Sequence, residues 1–148
     1  MIYLGIDIGK EGGIAILDGE MHIAARFNKE LYRTVITTAG KGQAVCVIEK
    51  VGSRPQQGVR SMFSFGENYG WIQGVLDANG VPYAAVTPQT WKKALGVTAD
   101  KQTSIDRCKE LFPEVNLVPH GCRVEQDGMA EALLLAYYAR EFEQWKMT

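Results

Sequence analysis

The sequence predicts a single α/β domain on a mixed five-stranded sheet, with helices covering both faces. Two features of the chain predict it. The first part holds three short strand-like runs divided only by turns, the pattern of an antiparallel meander. The remainder alternates apolar strand-like runs with stretches of helical spacing, the pattern of parallel strands and their covering helices. A length of 148 residues suits one domain with one sizeable core.

Each element has its own signal. Residues 2–8 (IYLGIDI) are apolar and β-branched and read as a buried strand, and Gly9, Gly12 and Gly13 mark the turn after it. Residues 14–18 (IAILD) read as the second strand, Asp18-Gly19 as a hairpin turn, and 21–27 as the third strand. Residues 29–39 read as a short helix and 44–49 (AVCVIE) as another buried strand. The polar, Pro-containing stretch GSRPQQG, 52–58, is a loop. A helix follows over 61–79, with Phe65, Ile72, Val75 and Leu76 near helical spacing and Gly80 as its stop. Residues 83–86 (YAAV) form a short strand, and Thr87-Pro88 opens a helix with Thr as cap and Pro in the first position. Residues 100–111 are an amphipathic helix capped by Asp100, 114–126 a loop, and 127–145 the last helix.

Composition removes several classes. A hydrophobic fraction of 46% is too high for a disordered chain. No apolar run approaches the ~18 residues that cross a bilayer, so no membrane partner is expected. MIYLGIDIGK has neither the basic start nor the apolar stretch of a secretory signal, which points to the cytoplasm. Cys46, Cys108 and Cys122 are scattered and form no CxxC, so they read as reduced thiols, with Cys46 in the core. The net charge of −1 does not announce a nucleic-acid binder. From Lys50 to Lys109, however, eight basic residues face only four acidic ones. A basic strip beside separate carboxylates suits a phosphodiester, though a mixed solvated surface gives the same count.

Four carboxylates stand out by position. Asp7 interrupts an otherwise apolar strand, and Glu49 closes an equally apolar one. Charges on buried strands are costly unless paired or metal-bound. Asp127 and Glu131 lie four apart in DGMAEALLLAYYA, on one helical face, with Ala132, Leu135 and Ala136 as packing surface. Hard Mg²⁺ is held by a few carboxylates plus water and phosphate. Two such ions ~3.5–4 Å apart can hydrolyse a phosphodiester. Without them, four clustered carboxylates repel one another and their pKa values rise. Singly, each acid has a plainer account: Asp127 as a helix cap, Glu131 as a solvated helix residue, Asp7 as a turn residue before Gly9, and Glu49 as the partner of Lys50 or a core Arg. Their joint placement on two strands and one helix favours a metal site.

These segments resemble a known family. GIDIGKEGGIAI resembles the first motif of the RuvC-type Holliday junction resolvases within the ribonuclease H-like superfamily, VIEKV the second, and DGMAEALLLAYYA the third. SMFSFGENYGWIQGVLDANGVPYAAVTPQTWKKAL is similar to the central helix and following strand of the family, especially in phage-borne members. The similarity runs in order through nearly the whole chain. The first motif alone is shared with actin-like kinases, whose two-domain ATPases are too long for this chain.

The resemblance implies a ribonuclease H-like fold and a homodimer that cuts four-way DNA junctions by two symmetric incisions. It implies two Mg²⁺ per site, with Mn²⁺ as a substitute, and carries metal roles to Asp7, Glu49 and Glu131, and more loosely to Asp127. It also marks Lys101 as a catalytic lysine assisting at phosphate; an exposed helix-terminal lysine is the plainer account. Two departures are visible. The terminal acids are four apart rather than three as in many relatives, and VGSRPQQG lacks the aromatic residue that bacterial members carry after the second-motif Glu.

Candidate DNA contacts follow from position. Arg54, Gln56, Gln57 and Arg60 lie just past Glu49 and suit phosphate contacts, if the segment is not a plain surface loop. Lys92, Lys93 and Lys101 are candidates for holding the flanking strands. Phe63, Phe65, Tyr69 and Trp71 read as core or dimer contacts in preference to a stacking platform. His22 and His120 stand alone; His120 before the last helix is a candidate proton carrier or a surface residue. The expected function is a metal-dependent structure-specific endodeoxyribonuclease on branched DNA. The alternatives are a non-catalytic branched-DNA-binding module and an RNA- or flap-cutting nuclease of the same fold.

Overall fold

The computed structural model describes residues 1–50 and 58–145. The loop expected over 52–58, with the candidates Arg54, Gln56 and Gln57, lies almost wholly outside the described residues. The elements run β1 (Ile2–Asp7), β2 (Gly13–Asp18), β3 (Met21–Arg26), α1 (Lys29–Ala39), β4 (Ala44–Glu49), α2 (Val59–Ala78), β5 (Tyr83–Val86), α3 (Pro88–Leu95), α4 (Lys101–Leu111) and α5 (Asp127–Glu141). The strands form one sheet in the order β3-β2-β1-β4-β5. β2 pairs antiparallel with β1 and β3, whereas β4 pairs parallel with β1 and β5.

Local chemistry explains the boundaries. Gly19 takes φ 59° in the β2–β3 turn, a conformation open to glycine at little cost. The Asn28 side chain accepts from Leu31 N at the start of α1, Thr87 from Thr90 N at α3, and Asp100 from Gln102 N at α4. The last helix departs from expectation: α5 ends at Glu141, not near Trp145. There the Phe142 ring stacks on Tyr138 at 5.5 Å, and Trp145 turns back so that its indole N–H donates to Ala139 O at 2.8 Å. A side chain thus serves one of the carbonyls that another helical turn would have used.

Strand alternation divides the core in two. Leu4 and Ile6 of β1 and Ile8 just past it, with Cys46 and Ile48 of β4, pack with Tyr32 and Ile36 of α1 and Ile72 and Leu76 of α2. The opposite face carries Val47, Trp91, Ile105 and most of α5. Eleven of the fifteen α5 residues are buried, so this helix is hydrophobic nearly all round. It lies directly on the β1–β2 backbone. A Cβ built on Gly5 would collide with Ala132 O and Ala136 N, and one on Gly128 with Glu11 O. A Cβ on Gly13 would stand 2.8 Å from Gly128 O. Backbone meets backbone here, with no side chain able to yield.

Gly5→Ala is therefore expected to cost about 3 kcal/mol or more, at the upper end of overpacking penalties. Urea unfolding of the two proteins measures it.

Candidate active site

The sheet delivers the first two acids. β1 and β4 run parallel with Ile6 opposite Ile48, so Asp7 and Glu49 follow at adjacent carboxyl ends. Ile6 and Ile48 point into the α1–α2 core, and alternation turns Asp7 and Glu49 to the α5 face. The glycine contact then delivers the other two. Gly128 seats the start of α5 against the β1–β2 turn, which places Asp127 in the first helical turn and Glu131 one turn further along. All four expected carboxylates thus come to one end of one face.

Two helices, α3 and α4, supply their partners. The Trp91 indole N–H donates to Glu49 Oε2 at 2.7 Å. Lys101 Nζ, at the start of α4, donates to Asp127 Oδ2 at 2.7 Å. Lys92 Nζ stands 3.7 Å from Glu131 Oε1, and Ser104 Oγ donates to the same oxygen at 3.4 Å. Trp91 and Ser104 are both fully buried, and Glu131 is only 8% exposed.

Burial and mutual repulsion govern the charges. Asp7 has its pKa pushed well above the usual carboxylate value, first by burial and then by the charges of Glu131, Glu49 and Asp127, with Lys101 opposing. Burial also raises Glu131; Lys92 and Lys101 pull it down, while Glu49 and Asp127 push it up. The hydrogen bond to Asp127 raises Lys101, against a lowering by burial. The field reaches through the sheet: the Tyr32 hydroxyl on α1, buried and without a partner among the described residues, is raised by burial and then by Asp7.

The donor set suits a hard divalent cation: it is carboxylate oxygen throughout, and its negative charge exceeds that of the two ammonium groups beside it. It is not a ready-made cage, because no group of three His, Cys, Asp or Glu side chains among the described residues stands close enough to hold one ion. Asp7, Glu49, Asp127 and Glu131 are the residues that would hold metal.

The other candidates fall elsewhere or take other places. Lys92, a candidate for holding flanking strands, is drawn inward against Glu131 with its Nζ 5.4 Å from the centre of the Trp91 ring. Lys93 is exposed and faces away, in a cleft with Arg107 and Glu110. Arg60 is exposed at the start of α2, beside the turn that follows Asp7. His120 is exposed with no contact to the acids, and His22 pairs with Glu114. Glu49 pairs with Trp91, and among the described residues with neither Lys50 nor an Arg. Trp91 and Ser104 escaped the sequence reading. The one signal for Trp91 was an indole on the apolar side of a short helix, whose N–H must find an acceptor once buried.

A carboxyl with a raised folded-state pKa carries no penalty below its unfolded value, about 4. The penalty accumulates as pH rises from there to the folded-state pKa and then persists. In chelator, Asp7→Asn is therefore expected to melt above the parent protein at pH 8, with the advantage shrinking towards pH 4. Thermal melts across that range check it; an equal or lower melting temperature at pH 8 contradicts it.

No protein-family model matches the chain, and no curated protein matches it. Solved structures do. The chain is similar to Thermus thermophilus RuvC in complex with a Holliday junction substrate at 16% identity, covering 96% of each chain, with a TM-score of 0.62. It is also similar to a second Thermus thermophilus RuvC structure at 18% identity, covering 95% of this chain and 96% of that one, with a TM-score of 0.57. The meander, the two parallel strands and the helices on both faces give this chain the RuvC fold, a ribonuclease H-like architecture.

Proposed function

We propose that this protein is a metal-dependent endonuclease that resolves four-way DNA junctions, acting as a homodimer with paired, symmetric incisions. The observation that carries the reading is the gathering of Asp7, Glu49, Asp127 and Glu131 at the carboxyl ends of β1 and β4, with Asp7 deep in a surplus of negative charge. The fold likeness to a junction-bound RuvC supports the substrate class.

Two Mg²⁺ ions, or Mn²⁺ in their place, would supply charge neutralisation and a nucleophile at neutral pH when bound. The chain's own residues do the rest. Asp7 and Glu49 present oxygens from rigid strands, and the Trp91 N–H fixes the orientation of Glu49. Glu131 and Asp127 complete the donor set from α5. Lys101 is the more exposed of the two ammonium groups, and it exchanges Asp127 for a phosphate oxygen as substrate arrives. Lys92 stays beside Glu131 and limits the repulsion within the cluster. Arg60, beside the turn after Asp7, would meet a flanking phosphate, whereas Lys93 would meet DNA only beyond the acidic cluster.

The dimer reading is supported by α2. Its outer side exposes Val59 and Phe63 and continues through Gly66, Gly70 and Gly74, where an added Cβ meets nothing within 4 Å. One observation favours a second reading, a branched-DNA-binding module without catalysis: two of the four carboxylates already have an ammonium neighbour.

Incubation with a mobile four-way DNA junction, with and without Mg²⁺, decides between them. Nicks at symmetric positions on one opposed strand pair, dependent on Mg²⁺, are expected. A flap and an RNA–DNA hybrid assayed alongside test the RNA- and flap-cutting alternatives. Asp7→Asn and Glu49→Gln are expected to abolish product while junction binding is largely kept. Retained cleavage by Asp7→Asn would sink the site assignment. Trp91→Phe is expected to keep the fold and lower cleavage by roughly 10–100-fold, the usual effect of removing a group that orients a metal ligand.

A further inference from the structure

A second feature lies beside the carboxylates, on the opposite side of the sheet. A groove of about 570 Å³ runs between the turn after β1 and the first half of α2. It borders the acidic cluster through Gly9, two residues beyond Asp7. Lys10, Lys29 and Arg60 line it, against a single lining acid among the described residues, Glu67. None of the three cations makes an ion pair among the described residues. Phe27 and Phe65 also line it, half-buried, and Ser61 and Ser64 add hydroxyls.

Lys29 Nζ stands 5.0 Å over the Trp71 ring of α2, but the charge in this groove is not placed to favour the helix dipoles. Lys29 opens α1, Arg60 lies in the first turn of α2, and that turn holds no acid. Cations at these positions oppose the helix dipole. Their effect is to raise the positive potential of the groove the two helices share. Unpaired cations along a trough, interleaved with aromatic rings, are what a single nucleic-acid strand requires: phosphates on the cations, bases on the rings. The volume lies within the ~300–1,000 Å³ span of small-molecule sites and has room on the order of a nucleotide or two.

We propose that this groove binds an unpaired nucleic-acid strand that continues from the phosphodiester at the carboxylates. Lys10, Lys29 and Arg60 hold its backbone, and Phe27 and Phe65 take a base. The inference rests on the nuclease reading for the direction of the strand. It gives the protein a physical reason to prefer substrates with unpaired nucleotides beside the incision, and it places that selection on a different face from Lys92 and Lys101.

The test measures binding by the full chain in EDTA, where cleavage does not intervene. The probes are a fluorescent oligothymidylate, an abasic oligomer of equal length and a blunt duplex. Lys10→Glu with Lys29→Glu, both at exposed positions, is expected to weaken oligothymidylate binding at least tenfold and duplex binding less than twofold. Loss of two contacts lowers the single-strand salt slope by ~1.4. Phe65→Leu, which keeps most of the buried volume, is expected to weaken oligothymidylate about fivefold or more and leave the abasic oligomer unchanged. Equal losses on strand and duplex, an unaffected double variant, no single-strand binding by the parent protein, or polyglutamate of matched charge binding as tightly as the oligonucleotide would each overturn the proposal. A parent protein that binds the strand but cuts no junction in Mg²⁺ would sink the nuclease reading and leave the groove standing.

Discussion

The direct contact between α5 and the β1–β2 backbone is the constraint on which the rest of the structure depends. Gly5 on the strand and Gly128 on the helix let the two backbones approach closer than any pair of side chains allows. That approach sets the height of α5 above the sheet and its rotation about its own axis. Both settings are needed for Asp127 and Glu131 to face the end of β1 that carries Asp7. A helix held off by side chains would still bury its leucines, but its acids would no longer reach those of the sheet. The glycines here act through geometry, and the chemistry downstream inherits their precision.

Bringing four carboxylates together is unfavourable, and the surroundings show how the fold tolerates it. Two ammonium groups and one indole N–H, from α3 and α4, are committed to the cluster. They leave Asp7 without an ion-pair partner among the described residues, and burial, then the neighbouring carboxylates, raise its pKa. α3 and α4 thus do more than cover the sheet. They offset part of the negative charge on its rim, and a surplus of carboxylate remains.

The two sides of the sheet divide the labour. Acids and their partners gather on the α5 side, at the ends of β1 and β4. Cations and aromatic rings gather on the α1–α2 side, around the turn after β1. The turn from Gly9 to Gly13 separates them by only a few residues of chain. A strand crossing that end of the sheet would meet negative oxygens on one side and positive side chains on the other.

The strands, the antiparallel meander and most helix boundaries were legible in the chain, because alternation, helical spacing and the caps Thr87 and Asp100 are local signals. The four acids were legible too, since a charge in an apolar strand and a pair one helical turn apart stand out against their neighbours. The end of α5 was misplaced, because Trp145 folds back onto Ala139 O through an interaction invisible to helical periodicity. Trp91 and Ser104 were missed as partners of Glu49 and Glu131, and so was the approach of Lys92 to Glu131. Periodicity and spacing are properties of a chain within a few residues of itself, so the sequence alone could determine the elements and the acids they carry. Which donor meets which acid, and which cations share a groove, depends on distances between segments far apart in the chain. Those distances exist only once α3, α4 and α5 have packed on the sheet.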